Sequence, residues 1–499
     1  MSSSMTRAPR RARAAALPIL TLLASALLLA GCASSRGLEP TLAATDADTL
    51  AISRSLTTDP LSAADFPSSD WWTAFADPQL DALIDEALRD SPSLAAADAR
   101  TRSAQAQAGL ADAQRKPTLG ASARLSGVQL PETIAPEPIG GDFNASGILM
   151  LNFAWAPDLW GGQRATFEAA AGQARAAEVD AQAARLTLSA NVARTYIALA
   201  QAFDTRDIAA REQARASRLR DLAAQRVEAG LDNQLQLRNA DTSIGIARQQ
   251  EQAAQQQIDA LRNALAALLG KGPDRGLDIA RPQLLQAAAP HVPAVLPSEL
   301  LGHRADVVAA RWRVEAASRG VDAAQAAFKP SVNLSALVGL AAGNLSDLFG
   351  SDAVLGLGGP AISLPIFDGG RLRAGLSQRD ADYDLAVASY NQTLVTSLRE
   401  VTDALQSARA FDAQIATVSE AADAARQAFA LADTRYQAGI GNQLDVLAAQ
   451  RPLLQLEQQL AALRAQRLSA AVDLDRALGG GLVVAAPSST HDLAGATTP

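Results

Sequence analysis

One cysteine and three histidines in 499 residues leave few ligands for a metal. A lone Cys32 cannot close an intrachain disulfide, so stability in an oxidising compartment has to come from packing and assembly. His291, His303 and His491 are scattered, without cysteine partners or carboxylates at ligand spacing, and read as surface or loop residues. Positive charge is scarce as well: 44 Lys and Arg stand against 52 Asp and Glu, a formal charge of −8, which argues against nucleic acid as a partner. Catalytic fingerprints are missing. There is no HExxH run, nucleophile elbow or dinucleotide loop, and Gly270, Lys271 and Gly272 lack the leading glycine (Leu265 stands there) and the Ser or Thr of a phosphate loop. No cofactor is expected, and the chain is not expected to be an enzyme.

The N-terminus is basic through Arg7, Arg10, Arg11 and Arg13, apolar from Leu17 to Leu29, and closes with Leu29, Ala30, Gly31 and Cys32. An apolar core this short is an export signal rather than a standing span. Its last four residues fit a lipobox, which makes residues 1–31 a signal peptide and Cys32 a lipidated mature N-terminus; an ordinary signal with an incidental cysteine is the plainer alternative. Removal of the signal takes the charge to about −12. Ala33 carries no inner-membrane retention signal, so outer-membrane sorting is expected. Residues 32–70 read as a lipid-anchored tether and 481–499 as a disordered tail.

What the chain has in abundance is alanine-rich helical repeat. Arg226, Ala229, Gly230, Asn233, Gln234 and Leu235 return as Arg435, Ala438, Gly439, Asn442, Gln443 and Leu444. Lys116 and Pro117 return as Lys329 and Pro330, and Gly161 and Gly162 as Gly369 and Gly370. Helix, strand pair, Gly-Gly and long hairpin therefore occur twice. The expected repeats are 71–290, with a strand pair at 117–155 and a hairpin at 164–269, and 291–480, with a strand pair at 330–367 and a hairpin at 371–478. Val387, Asn391, Leu394, Leu398, Val401 and Leu405 keep heptad spacing, as do Leu453, Leu456, Leu460 and Leu463. An arm of about 65 residues would reach on the order of 100 Å.

Period-two alternation marks the strands: Leu119, Ala121, Ala123 and Leu125; Ser146 to Trp155; Val332, Leu334, Ala336 and Val338; and Gly356 to Phe367, with Ile362, Leu364 and Ile366 on one side. Such segments suit a membrane barrel. Four strands cannot close one, and bare edges cannot face lipid, so strands that span a membrane must close with copies from other chains. The pattern alone is also met by two soluble hairpins packed on the helices.

Trp72, Phe75, Asp77, Pro78, Leu80, Leu83, Ile84 and Ala87, then Lys116 and Pro117, Pro157 to Gly161, Pro365, Phe367, Gly369 and Gly370, and Arg435, Tyr436, Gly439, Leu444 and Asp445 together resemble the TolC superfamily. The lipobox resembles its OprM and NodT lipoprotein branch. The resemblance implies a fold that is mainly α with membrane β: long antiparallel coiled-coil hairpins forming an α-barrel, and four strands per chain completing a trimeric twelve-stranded β-barrel. It implies a passive exit duct for small molecules in a tripartite efflux system, with a homotrimer, a periplasmic adaptor (membrane fusion protein), an inner-membrane RND transporter and outer-membrane lipid as partners. Arg226, Gly230, Arg435 and Gly439 would lie at the adaptor-docking tip, and Asp445 and Tyr436 at the periplasmic gate. Ala448 and Gln236 depart from an acidic pattern there, which weakens a double carboxylate ring, and Asp445 also fits a plain helix N-terminal role. Competing readings are a protein-secretion duct and a non-conducting lipid-anchored scaffold.

Overall fold

The computed structural model describes residues 34–50, 66–129, 143–283 and 302–482, together with residues 131, 133, 134 and 141. Cys32, His291, His491, the expected signal and the expected tail beyond residue 482 lie outside them. In chain order the elements are α1 Pro78–Asp90, α2 Pro92–Ala113, β1 Thr118–Gln129, β2 Phe143–Trp155, α3 Gly162–Glu228 and α4 Gln234–Leu268. They continue with α5 Asp274–Leu277, α6 Ala305–Ala326, β3 Ser331–Ala342, β4 Val354–Ser363, α7 Arg371–Gln437 and α8 Gln443–Ala477. Both expected hairpins are present, each with a first arm of 67 residues and a second of 35.

The chain divides into two compact units, each drawing on both sequence halves. The first comprises Met1–Ala44, Arg102–Arg175 and Trp312–Ser389 and contains the sheet. Its strands run β1-β2-β3-β4, all neighbours antiparallel. The pairing of β2 with β3, from Gly147 opposite Ala342 to Trp155 opposite Leu334, fuses the two hairpins into one sheet. Leu119 faces Phe153, Leu151 faces Val338 and Leu149 faces Leu340, so alternation puts these residues on one apolar face with Ala121, Ala123 and Leu125. Ser122, Arg124, Asn152 and Ser335 occupy the other.

Among the described residues no α-helix covers this sheet. Leu119 is 73% and Leu357 69% exposed, and among strand residues with described burial only Gly147 is buried. The two-soluble-hairpin alternative needs an apolar face covered by the helices, and the described residues show it exposed. Strand β4 corrects the sequence expectation at its end: it begins at Val354 and stops at Ser363, so Leu364 and Ile366 lie past the ladder. The partner strand ends there, since β3 begins at Ser331 opposite Ser363.

Part of the expected tether is docked in this unit. Arg373 Nη1 donates to the Ser34 carbonyl, and Asp384 accepts from the Thr41 backbone N–H, the Thr41 hydroxyl and the Leu42 N–H. Those three donors hold the Asp384 carboxyl below its ordinary pKa, the Thr41 side chain contributing most.

The second unit comprises Thr45–Thr101, Ala176–Arg311 and Tyr390–Pro499. Asp77 caps α1 by accepting from the Gln79 N–H at 2.9 Å, with Pro78 as the first helical residue. Its other oxygen accepts from the Tyr196 hydroxyl at 2.9 Å and the Gln283 N–H at 3.0 Å, tying α1 to α3. Trp71, Trp72, Phe75, Leu80, Leu83 and Ile84 form one apolar cluster with Tyr196, Ile197, Ile258 and Leu265. Along the first hairpin, Ala202, Ala209, Ala216 and Ala223 on α3 and Ala240, Ala247 and Ala254 on α4 are buried at every seventh residue. Side chains this small permit close approach of the arms. On α7 the buried heptad residues are larger: Leu394, Leu398, Val401 and Leu405.

Asp475 on α8 has no charged neighbour shifting it, and burial alone pushes its carboxyl up to about 7. Between about pH 4 and pH 7 the folded chain keeps this proton while the unfolded chain has released it, so stability falls as pH rises through that window and stays reduced above it. Asp475→Asn is expected to raise the melting temperature near pH 8 and leave it nearly unchanged near pH 4. Circular dichroism melts at both values check this; an equal change at both would remove the ionisation penalty.

Candidate functional site

The two turns between long helices are built alike. Each first arm ends with a glycine in the left-handed region, Gly230 at φ +73° and Gly439 at φ +77°. The chain folds back onto the helix end: Leu231 N–H and Asp232 N–H donate to the Arg226 carbonyl, as Ile440 N–H and Gly441 N–H donate to that of Arg435. Each second arm starts at an asparagine. Asn233 accepts from the Leu235 N–H, and Asn442 accepts from the Asp445 N–H at 2.9 Å while Asp445 accepts from the Asn442 N–H, a reciprocal capping box. The motif shared by the repeats is thus a complete stop and restart of the helix.

The turns differ where the repeat breaks. Asp232 stands opposite Gly441, and it ties the two hairpins together. Its Oδ2 accepts from Arg226 Nε at 2.6 Å and from the Tyr436 hydroxyl at 3.3 Å. Arg226 also lies over the Tyr436 ring, 5.0 Å from its centroid. Tyr436 is fully buried, packed with Leu219 and Val446. Burial first, then the Asp232 charge, raises the Tyr436 phenol above its ordinary pKa, and the bond to Asp232 raises that of Arg226.

Of the residues singled out from sequence, Arg226 and Tyr436 are brought into contact, and Gly230 and Gly439 occupy equivalent backbone positions. Arg435 and Asp445 are exposed, Arg435 at a helix end and Asp445 in a first turn, where its carboxylate serves the capping box. Leu231, Leu235, Ile440 and Leu444 are exposed aliphatic residues at the turns. Sequence reasoning missed Asp232, although its departure from the repeat was visible. It also missed a buried polar group higher on the arms, where Arg215 lies between Glu212 and Glu457 at 3.4 and 3.6 Å and Gln450 donates to Glu212. Burial raises the Glu212 carboxyl above its ordinary pKa, against the opposing pull of Arg215.

His303 stacks on Phe66 at 3.6 Å between centroids. Among the described residues no His, Cys, Asp and Glu group is arranged to hold a metal, and no helix is long and apolar enough to cross a membrane.

The family model described as outer membrane efflux protein matches residues 83–271 and 296–480, one segment in each repeat. Fusaric acid resistance protein FusA of Burkholderia cepacia is 37% identical over 369 residues, covering 72% of this chain and 69% of that one. Pyoverdine export outer membrane protein OpmQ of Pseudomonas putida is 32% identical over 438 residues, covering 85% and 90%. Among solved structures, the outer membrane protein VceC of Vibrio cholerae superposes with a TM-score of 0.78 at 38% identity, covering 83% of this chain and all of that one. The outer-membrane channel OprN gives 0.78 at 28% identity, covering 88% and 97%. Two matched repeats, an uncovered sheet and paired long hairpins agree with these likenesses: the chain belongs to the outer membrane efflux protein family, the TolC-like channels.

Proposed function

We propose that this chain is the exit duct of a tripartite efflux system, closing as a homotrimer in the outer membrane. The observation that carries the reading is the open four-stranded sheet, with β1 and β4 at its edges and both faces exposed. Each bare edge group would cost several kcal/mol in lipid. Three copies joined edge to edge make twelve strands and remove every edge, with the apolar face of Leu119, Leu151 and Val338 toward lipid. Each chain contributes its long helices to the tunnel. Cys32 carries the lipid, after a signal peptide at 1–31; residues 32–70 are the tether, 71–290 and 291–480 the structural repeats, and 481–499 a tail.

The tips are the regulated end. Leu231, Leu235, Ile440 and Leu444, beside Arg226, Gly230, Arg435 and Gly439, form the surface that a periplasmic adaptor engages, while an inner-membrane RND transporter supplies the energy. Asp232 is the latch: it holds Tyr436 of the second hairpin to Arg226 of the first, and adaptor binding that favours separated hairpins shifts the closed population toward open. Asp445 contributes to a carboxylate ring at the entrance. The cargo is a small molecule, the class exported by the pyoverdine and drug-resistance relatives.

Three expected outcomes follow from this reading. Asp232→Ala removes a charge-assisted tie of about 1.5–3 kcal/mol, so single-channel recordings in planar bilayers should show roughly tenfold or greater gain in open probability; unchanged opening would leave Asp232 as packing only. Gly439→Trp should lower adaptor-dependent export while cross-linked trimers persist. A Cβ at Gly439 meets nothing within 4 Å, so the cost is the left-handed backbone, about 1–2 kcal/mol, and wild-type export would count against docking there. Asp445→Ala should reduce cation preference measured by reversal potential under a salt gradient; identical selectivity would confine Asp445 to its capping role.

A further inference from the structure

Below the periplasmic ends of the strands the first unit contains a polar cleft of about 380 Å³, bounded by Trp160, Arg164, Glu168, Arg319, Asp322, Gln325 and Lys329. Its position follows from covalent geometry. Lys329 precedes the first residue of β3 by two, and Trp160 follows the last of β2 by five. In a sheet that crosses a membrane, this is the depth of the lipid headgroups. The Trp160 indole N–H donates to the Pro330 carbonyl at 2.6 Å, which fixes the ring, and Lys329 Nζ lies over that ring at 5.3 Å. A tryptophan and a lysine at a strand end are the usual interfacial pair.

The charges in the cleft are not evenly neutralised. Arg164 is bridged to Glu168 at 2.7 Å, and Arg319 reaches Glu168 at 3.3 Å, Glu315 at 3.1 Å and Asp322 at 3.3 Å. Lys329 has no carboxylate within ion-pair distance among the described residues. The repeat shows why. Lys116 occupies the same place in the first half, two residues before β1, and its ammonium is bound by Asp112 at 2.6 Å, four residues upstream. The residue four upstream of Lys329 is Gln325, which cannot neutralise it and adds an amide donor to the cleft instead.

We propose that this cleft holds the phosphodiester headgroup of an anionic glycerophospholipid in the periplasmic leaflet of the outer membrane. Lys329 supplies the unneutralised charge, Gln325 a neutral donor, and Trp160 an aromatic wall at the boundary between headgroup and acyl chain. The inference rests on the sheet spanning the membrane. A lipid is favoured over a free anion because Trp160 and Lys329 lie within five and two residues of strands whose apolar side chains, Leu151, Leu334 and Val338, are exposed.

Native mass spectrometry of the full-length protein released from membranes in mild detergent tests it, with phosphatidylglycerol and phosphatidylethanolamine as probes. Wild type is expected to retain phosphatidylglycerol preferentially. Lys329→Gln should lower that retention roughly fivefold, as expected for one interfacial lysine, with phosphatidylethanolamine unchanged. Lys329→Arg should keep retention, and Lys116→Gln, already neutralised by Asp112, should leave it unaltered. Equal phosphatidylglycerol retention in wild type and Lys329→Gln overturns the site, as does an equal loss in Lys116→Gln. Displacement of the lipid by millimolar inorganic phosphate would assign the cleft to a free anion and overturn the lipid. Absence of both phospholipids from every variant would overturn membrane insertion as well, whereas loss of selectivity with phosphatidylethanolamine still bound overturns the cleft alone.

Discussion

Backbone hydrogen bonding at the sheet edges is the constraint on which the rest depends. Strands β1 and β4 each present one unpaired row, and among the described residues no α-helix covers the apolar face between them. In water such a sheet invites aggregation, and in lipid its bare N–H and C=O groups are prohibitively costly. The sheet is therefore an incomplete object whose missing partners lie outside the chain. Its register assigns the faces: pairing Leu149 with Leu340 and Leu151 with Val338 puts aliphatic residues on one side of β1, β2 and β3, whereas that side of β4 carries Val354, Gly356, Gly358, Pro360 and Ile362, and a slip of one residue would mix the aliphatic residues with Ser122, Asn152 and Arg124.

The helical hairpins solve a different problem, keeping long arms paired without a wide core. Alanines at every seventh residue from Ala202 to Ala223 and from Ala240 to Ala254 form the buried stripes of the first hairpin's arms, while leucine and valine form that of α7. Burying an alanine contributes little by itself, so stability accumulates along length rather than at one centre. A large apolar core lies where Trp71 to Leu94 packs on α3 and the end of α4, and there Asp77 serves as helix cap and as acceptor for Tyr196 and the Gln283 N–H.

Duplication makes the departures from it informative. Asp232 against Gly441 converts one of two matched turns into a tie to Tyr436. Gln325 against Asp112 leaves one of two matched lysines unneutralised. Asp445 against Gln236 closes the capping box in one turn only. In each case the backbone scaffold is the same and one side chain changes the chemistry, as expected where function is grafted onto a fold.

Much of this was legible from residues alone because it is local. Helical spacing, the Asp77 and Pro78 start, the glycine stops at Gly230 and Gly439, and the period-two strands depend on neighbours a few positions away, and helix α7 begins at Arg371, where the second hairpin was expected to start. The end of β4 was misplaced because alternation continued to Ile366, whereas the ladder stops at Ser363, where its partner β3 has run out at Ser331. Tertiary structure alone decided what joins distant segments: β2 against β3, which makes one sheet of two hairpins; Asp232 against Tyr436, 204 positions apart; and Thr41 and Leu42 laid on Asp384. Periodicity specifies which face a residue occupies, but partner and distance are set only when the chain closes on itself.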